Sequence, residues 1–150
     1  MPSRKERILI VADTNIVISY YLSRNSKSAI SRIFHMWRDL RDLQLIVSDE
    51  MINEYLEVLE RLSISRTRIE KLKNILLTYP IVTCVRLGTR PTSSRDADDN
   101  ILLATAISGK AKFLITNDSD LLDISNKEKK RFKFEIVRPA EFLERLENVR

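Results

Sequence analysis

Apolar and polar positions along the chain predict strands and helices in alternation. Residues 8–12, Ile-Leu-Ile-Val-Ala, form a continuous apolar run, which is typical of a central parallel strand buried on both faces. Shorter apolar runs predict further strands at 45–47, 81–85, 112–115 and 134–137. Helical spacing fills the segments between them, so the pattern predicts an α/β sandwich with a mainly parallel sheet.

Start and stop signals delimit the predicted helices. Ser48 is a plausible N-cap, Gly109 ends a helix that is apolar almost all round, and Pro139 opens the last one. Apolar patterns continue on both sides of the two loop-like stretches, 88–97 and 125–131. We therefore expect residues 1–150 to form a single domain, with helices at 15–22, 28–40, 48–61, 66–77, 100–108 and 141–146.

Composition excludes several classes of protein. Of the 150 residues 43% are hydrophobic and 31% are charged, which excludes a disordered chain, and two glycines leave no room for a glycine-rich phosphate loop. One histidine and one cysteine exclude a Cys/His zinc site. Cys84 lies in an apolar run, so we expect a buried thiol.

Residues 8–12 are too short for a signal sequence and no apolar run reaches 18 residues, which predicts a cytoplasmic protein without membrane contact.

The charges are unevenly distributed. The chain has a net charge of +5, yet residues 96–123 hold six Asp and two Lys, a net charge of −4. The remainder therefore carries +9. A basic body around one acidic pocket suggests a polyanionic partner held near a bound metal ion. Random clustering on a solvated surface is the alternative interpretation.

Four acidic residues lie where a predicted strand ends or the next helix begins: Asp13, Glu54, Asp99 and Asp118. Ligands of open parallel sheets bind outside the carboxyl ends of the strands, so these groups should converge on one cleft. Closely packed carboxylates repel each other unless a cation lies among them, and an all-oxygen site favours Mg²⁺ or Mn²⁺. Taken singly, each has an ordinary alternative: Asp99 as a helix cap, Asp118 as a turn residue and Glu54 as a solvated side chain.

The helix over 48–61 offers more than one glutamate. Glu54 and Glu60 both border its apolar face, whereas Glu57 lies opposite that face. Glu60 lies about 9 Å further along the axis, at 1.5 Å per residue. Only Glu54 therefore stays near the ends of the strands.

Five segments in this order resemble the PIN domain family, in particular its VapC-like toxin branch. They are ILIVADTNIVIS from residue 8, SDEMINEYLEVL from 48, RDADDNILLATA from 95, FLITNDSDLL from 113 and RPAEFL from 138. No single motif is specific, but the ordered set at these spacings covers the chain from about residue 8 to 146. The resemblance implies a three-layer α/β/α sandwich with a mainly parallel central sheet of four to five strands.

The same resemblance implies a ribonuclease that depends on Mg²⁺ or Mn²⁺. Carried onto this chain, the metal-binding and catalytic acids are Asp13, Glu54, Asp99 and Asp118. The close succession of Asp96, Asp98 and Asp99 leaves the choice of the third acid less fixed than that of the first two. Supporting roles fall to Asn15, Thr116, Asp120, Asp98 and Asp96.

Partners follow from the charge and from the resemblance. RNA would be held by basic residues flanking the cleft, and the candidates are Arg86, Arg90, Arg95, Lys129, Lys130 and Arg131. A solvated charge run is the alternative for the second of these segments. The VapC-like branch implies a small antitoxin protein that covers the cleft, and it implies a homodimer.

Other classes of function compete with this interpretation. A haloacid-dehalogenase-like phosphatase needs Asp-x-Asp after the first strand, where this chain has Asp13-Thr14-Asn15. A response-regulator receiver needs a lysine after a late strand, and Thr116-Asn117-Asp118 supplies none. An RNA-binding module without activity and an RNA-processing nuclease that is not a toxin remain open.

Overall fold

The computed structural model describes residues 6–87, 97–124 and 130–149. Five strands form one sheet: β1 (Ile8–Ala12), β2 (Leu43–Ser48), β3 (Val82–Val85), β4 (Phe113–Ile115) and β5 (Glu135–Val137). Their order is β3-β2-β1-β4-β5, and every pairing is parallel. The predicted mainly parallel sheet is thus confirmed, with β1 at its centre, as its continuous apolar sequence indicates.

Seven helices lie within the described ranges. They are α1 (Thr14–Leu22), α2 (Ala29–Arg38), α3 (Asp49–Arg61), α4 (Arg66–Thr78), α5 (Ala97–Ser108), α6 (Ser119–Leu122) and α7 (Pro139–Val149). Serine side chains cap three of them, since Ser28, Ser48 and Ser65 each accept a hydrogen bond from a backbone N–H of the first turn. No helix of these ranges is long and apolar enough to cross a membrane.

The strand order distributes the helices over two faces. From β1 through β2 to β3 the chain moves in one direction along the sheet, and from β3 to β4 and β5 it moves in the other. Because parallel crossovers are right-handed, α1–α4 cover one face and α5 and α6 cover the opposite one. Helix α7 contacts α2 and β4. The result is the three-layer α/β/α sandwich expected from the resemblance.

Buried side chains on both faces fix the sheet between its helices. Val11, Leu43 and Leu114 are completely buried in the strands, and Met51 and Leu59 of α3 are equally inaccessible. The Trp37 indole N–H donates to the carbonyl oxygen of Ile81 at 3.0 Å, which joins α2 to the start of β3. The central strand therefore ends at a rigid edge, where the acidic residues lie.

Several boundaries differ from those predicted. Helix α5 begins at Ala97 instead of residue 100, so Asp99 lies within its first turn. Residues 119–122, where the sequence predicted no helix, form the short helix α6. The prediction that Cys84 is buried is also wrong. Cys84 is exposed, because β3 is an edge strand whose residues are only partly buried or exposed.

Candidate metal centre

The candidate site lies at the carboxyl edge of the sheet, where β1 and β4 lie side by side. The chain leaves β1 toward β2 on one side and reaches β4 on the other, so this is the switch point of the topology. Asp13 directly follows β1, and its N–H donates to the carbonyl oxygen of Ile115 at the end of β4. Thr116 and Asp118 follow β4. Residues that follow β1 and β4 thus lie side by side at this edge, although about 100 positions separate them in the chain.

Asp13 is a buried carboxylate, with 6% of its surface exposed. It is the N-cap of α1, where one side-chain oxygen accepts from the N–H of Asn15 at 3.5 Å. Its other oxygen accepts from the Thr116 hydroxyl at 2.7 Å. Burial raises the pKa of Asp13; the Thr116 and Asn15 hydrogen bonds oppose this, and the negative charge of Asp118 adds to it. A cation beside Asp13 would relieve both unfavourable contributions.

Thr116 joins two of the acidic positions. Its hydroxyl is fully buried, donates to Asp13 and accepts from the backbone N–H of Asp118 at 2.9 Å. The backbone N–H of Thr116 is fixed by the carbonyl oxygen of Val137 in β5. One hydroxyl therefore sets the position of the Asp13 carboxylate relative to the loop that carries Asp118.

Asp99, Asp118 and Asp120 form a group of carboxylates close enough to share one ion. One oxygen from each lies within 4.8 Å of the others. Asp99 is 4% exposed, Asp118 is half-buried and Asp120 is exposed. Asp118 caps α6 by accepting from the backbone N–H of Asp120 at 2.8 Å, which fixes the Asp118 carboxylate against the start of that helix. Neither Asp13 nor Glu54 belongs to this group, as far as the described residues extend.

Glu54 is half-buried on α3 and is followed by a tyrosine that reaches the end of β1. The hydroxyl of Tyr55 donates to the carbonyl oxygen of Ala12, the residue before Asp13. Burial raises the pKa of Tyr55 well above its ordinary value, and the charges of Asp13 and Glu54 raise it further. The charges of Asp13 and Glu54 therefore both affect the Tyr55 phenol. The hydrogen bond of Tyr55 joins α3 to β1, the strand that ends just before Asp13.

A second pair of hydroxyls connects the helices that carry Glu54 and Asp99. The Thr105 hydroxyl of α5 lies 3.0 Å from the hydroxyl of Ser48, the N-cap of α3, and it donates to the carbonyl oxygen of Ile101 at 2.8 Å. Both side chains are buried. Sequence reasoning found Ser48 only as a cap and missed Thr105, although a lone threonine in an apolar helix is a signal of such a contact.

The donor atoms of this edge fit a hard divalent cation. They are carboxylate and hydroxyl oxygens, which Mg²⁺ and Mn²⁺ prefer, and they include no thiol or imidazole among the residues named. Two of the carboxylates, Asp13 and Asp99, are buried, and the Thr14 hydroxyl beside Asp13 is buried without a hydrogen-bond partner. Buried acids and an unpartnered buried hydroxyl are the features expected of a protein that binds a cation here.

The remaining predicted residues do not all lie at this edge. Asn15 is exposed, and its backbone N–H supports Asp13. Arg86 follows β3, and like Lys130 and Arg131 it is exposed. Outside the described residues lie Asp96, Arg90, Arg95, Lys129 and the side chain of Asp98.

Comparisons with known proteins agree with this architecture. A family model described as PIN domain matches residues 9–120. The fold is similar to a chain in the crystal structure of VapBC2 from Rickettsia felis bound to a DNA fragment from their promoter. The TM-score is 0.54 at 12% sequence identity, over 87% of this chain and 98% of that one. No curated protein sequence matches the chain.

Proposed function

This chain belongs to the PIN domain family, and on that basis we propose that it is a metal-dependent endoribonuclease that hydrolyses RNA phosphodiester bonds. The observation that carries the proposal is the group formed by Asp99, Asp118 and Asp120 at the switch point of the sheet. Asp13 lies beside this group, connected to Asp118 through Thr116. This concentration of negative charge needs a cation.

We assign Asp13, Glu54, Asp99 and Asp118 to the metal-binding and catalytic set. Asp99 and Asp118 already have oxygens at a shared position. Asp13 joins them because a buried carboxylate with a raised pKa is unfavourable in the absence of a cation. Asp120 is exposed, so its presence costs the protein little, and we give it an assisting role with Asn15 and Thr116.

The residues of this edge suit hydrolysis of a phosphodiester. A bound cation would lower the pKa of a coordinated water and neutralise charge on the phosphate. A neighbouring carboxylate accepts the proton of the attacking water. The water oxygen bonds to phosphorus while the bond to the 3′ oxygen breaks, which leaves a 5′-phosphate and a 3′-hydroxyl. Thr116 keeps Asp13 oriented throughout.

We assign RNA binding to exposed basic residues, of which Arg86 lies at the carboxyl edge of the sheet. Arg86 is exposed directly after β3, and Lys130 and Arg131 are exposed before β5. With Arg90, Arg95 and Lys129 they would contact phosphates without reading the sequence.

We further propose that the protein is the toxin of a toxin–antitoxin pair in the cytoplasm and forms a homodimer. The structural neighbour is a chain of a VapBC2 structure, and the five sequence segments resemble the VapC-like branch. A small antitoxin would then cover the acidic edge. The alternative is a PIN nuclease that processes RNA and whose expression does not arrest cell growth.

Cleavage of labelled single-stranded and structured RNAs tests the nuclease. Wild type, Asp13→Asn and Asp99→Asn are compared in Mg²⁺, Mn²⁺ and EDTA, with Asp42→Asn as a control that removes one charge from the opposite edge of the sheet. We expect cleavage only with a metal, and a loss of about 10³-fold in both site variants, which corresponds to about 4 kcal/mol. Equal cleavage by all four proteins would place the activity elsewhere or in a contaminant.

Expression in cells tests the toxin. Growth arrest by wild type that Asp13→Asn abolishes supports the assignment, and co-expression of the neighbouring reading frame should relieve it. A cleaving enzyme whose expression leaves growth unchanged would favour RNA processing instead.

A further inference from the structure

A groove of about 520 Å³ lies at the end of α1 that is remote from the acidic edge. Its walls come from the end of α1, the following loop, α2 and the start of α4. Three arginines line it: Arg24 in the loop, Arg38 at the end of α2 and Arg68 in the first turn of α4. The one carboxylate of its lining, Asp39, lies 2.7 Å from the His35 ring and is engaged by it. The groove therefore has an excess of positive charge.

One of these arginines is held in place by a tyrosine. The guanidinium of Arg68 lies over the Tyr21 ring, 4.6 Å from its centroid, and donates to the Tyr21 carbonyl oxygen at 3.0 Å. Burial raises the pKa of Tyr21, and the nearby charges of Arg38 and Arg68 oppose this rise. Both guanidinium groups thus lie close to one phenol, which concentrates positive charge on one wall.

The other groups of the lining suit a flexible polyanion. Tyr20 is half-buried, with its ring 4.0 Å from that of Phe34, and serine and asparagine side chains offer further hydrogen bonds. Arginines interspersed with an aromatic ring and neutral hydrogen-bonding groups are the combination with which proteins bind single-stranded nucleic acid. Guanidinium groups also match the geometry of phosphate oxygens.

We propose that the groove of Arg24, Arg38 and Arg68 binds the phosphate backbone of RNA, as a contact separate from the acidic edge. The inference rests on the proposed function, since it assumes an RNA substrate. Helix α1 connects the two places: Asp13 caps its start and Tyr20 lies near its end. Its nine residues span about 13 Å at 1.5 Å per residue.

Binding of a fluorescein-labelled 12-nucleotide single-stranded RNA in EDTA tests the groove without requiring cleavage. The test variant is Arg24→Gln/Arg38→Gln; Arg68 is retained because it packs on Tyr21. Its matched control is Lys110→Gln/Lys112→Gln, which removes two exposed charges from the connection between α5 and β4, outside the lining of the groove. Fluorescence anisotropy gives Kd over a range of salt concentrations, and circular dichroism confirms folding.

We expect the groove variant to bind about tenfold more weakly at 0.1 M salt, and the control to stay within twofold of wild type. The slope of log Kd against log salt should fall by about 1.4, at about 0.7 for each lost phosphate contact of a single strand. Poly-glutamate of similar charge should bind weakly to both variants and to wild type.

Three outcomes would overturn the proposal: equal RNA affinity of the groove variant and wild type, an equal loss in the control, or loss of poly-glutamate binding alone. The last would assign the groove to an acidic protein. Cleavage tests the other proposal separately. A protein that does not cleave RNA but shows the expected binding difference refutes the proposed nuclease activity and supports RNA binding by the groove. Normal cleavage with equal RNA affinity of the groove variant and wild type supports the nuclease activity and refutes RNA binding by the groove.

Discussion

The two edges of the central sheet differ in how their charges are arranged. The amino edge has a concavity of about 780 Å³, and the arginines that line it are balanced by Glu6 and Asp42. Arg7 there donates to the carbonyl oxygen of Arg41 at 3.1 Å and to the Gln44 side chain at 3.3 Å. The carboxyl edge instead brings the carboxylates of Asp99, Asp118 and Asp120 together. Unbalanced negative charge therefore distinguishes the carboxyl edge from the amino edge.

The difference also separates stability from activity. Side chains toward the amino edge form hydrogen bonds and pack against their neighbours. Those at the carboxyl edge include acidic side chains, some of them buried, whose negative charges repel one another. Natural sequences retain such unfavourable groups where function requires them. We expect substitutions at the amino edge to change stability alone and substitutions at the carboxyl edge to change activity.

Gly109→Ala should have the largest effect on stability. Gly109 begins the connection from α5 into β4, and a methyl group at its Cα would collide with the Ile46 side chain in β2. Overpacking of this kind costs about 1–3 kcal/mol. A Tm lower by about 2–4 °C for each kcal/mol is expected, with RNA cleavage per folded molecule unchanged. Ser108→Ala, one residue earlier, is the control. An unchanged Tm, or a fall in specific activity, would break the comparison.

Thr116→Val should weaken catalysis at the other edge. The variant keeps the shape of the side chain but removes the donor to Asp13 and the acceptor for the N–H of Asp118. Loss of such a supporting contact lowers metal affinity or activity by about 10–100-fold. Cleavage rates over a range of Mn²⁺ concentrations measure both effects. Thr116→Ser retains the hydroxyl and should recover most of the activity; if it behaves like the valine variant, the hydrogen bonds are not the cause.

The sequence predicted the parts of this comparison that depend on local pattern. The apolar run of residues 8–12 identified the central strand, and the position of Asp13 after it placed an acid at the carboxyl edge. Helix caps such as Ser48 were equally visible, because capping depends on residues within one turn. The alternation of elements predicted a mainly parallel sheet, and every pairing in the sheet is parallel.

Features that depend on tertiary contacts could not be read from the pattern. Cys84 lies in an apolar segment, yet β3 is an edge strand, and only the strand order reveals that. The start of α5 was misplaced because aspartates interrupt its first turn. The contacts of Thr116 with Asp13 and of Tyr55 with Ala12 join residues 103 and 43 positions apart, so no local signal predicts them.

Asp118→Asn should stabilise the metal-free protein. The change removes one charge from the group that includes Asp99 and Asp120, and asparagine retains the ability to cap α6. In EDTA we expect a Tm higher by about 2–4 °C, for about 1 kcal/mol of relieved repulsion. The increase in Tm that Mn²⁺ gives to wild type should be lost in the variant. Asp42→Asn, from the amino edge, should not raise the Tm in EDTA and should retain the stabilisation by Mn²⁺ that wild type shows. A variant that Mn²⁺ stabilises normally would remove Asp118 from the ligand set.

The smallest expected effect is a pH dependence of stability that arises from Asp13. Burial raises its pKa above the ordinary value of 3.8 in the folded protein without a cation. Between the ordinary and the raised pKa, the folded protein binds more protons than the unfolded chain does, so the contribution of Asp13 to stability falls as pH rises. Asp13→Asn keeps an acceptor for Thr116 and removes this penalty. In EDTA the variant should therefore be the more stable protein at pH 7, and its advantage should shrink as pH falls through the raised pKa.

Thermal unfolding at half-unit pH steps measures the difference, with Asp42→Asn as the control for loss of a charge. An advantage that persists unchanged to pH 4 would mean that the Asp13 carboxylate is not strained by burial, and the contrast between the two edges would then depend on Asp99, Asp118 and Asp120 alone.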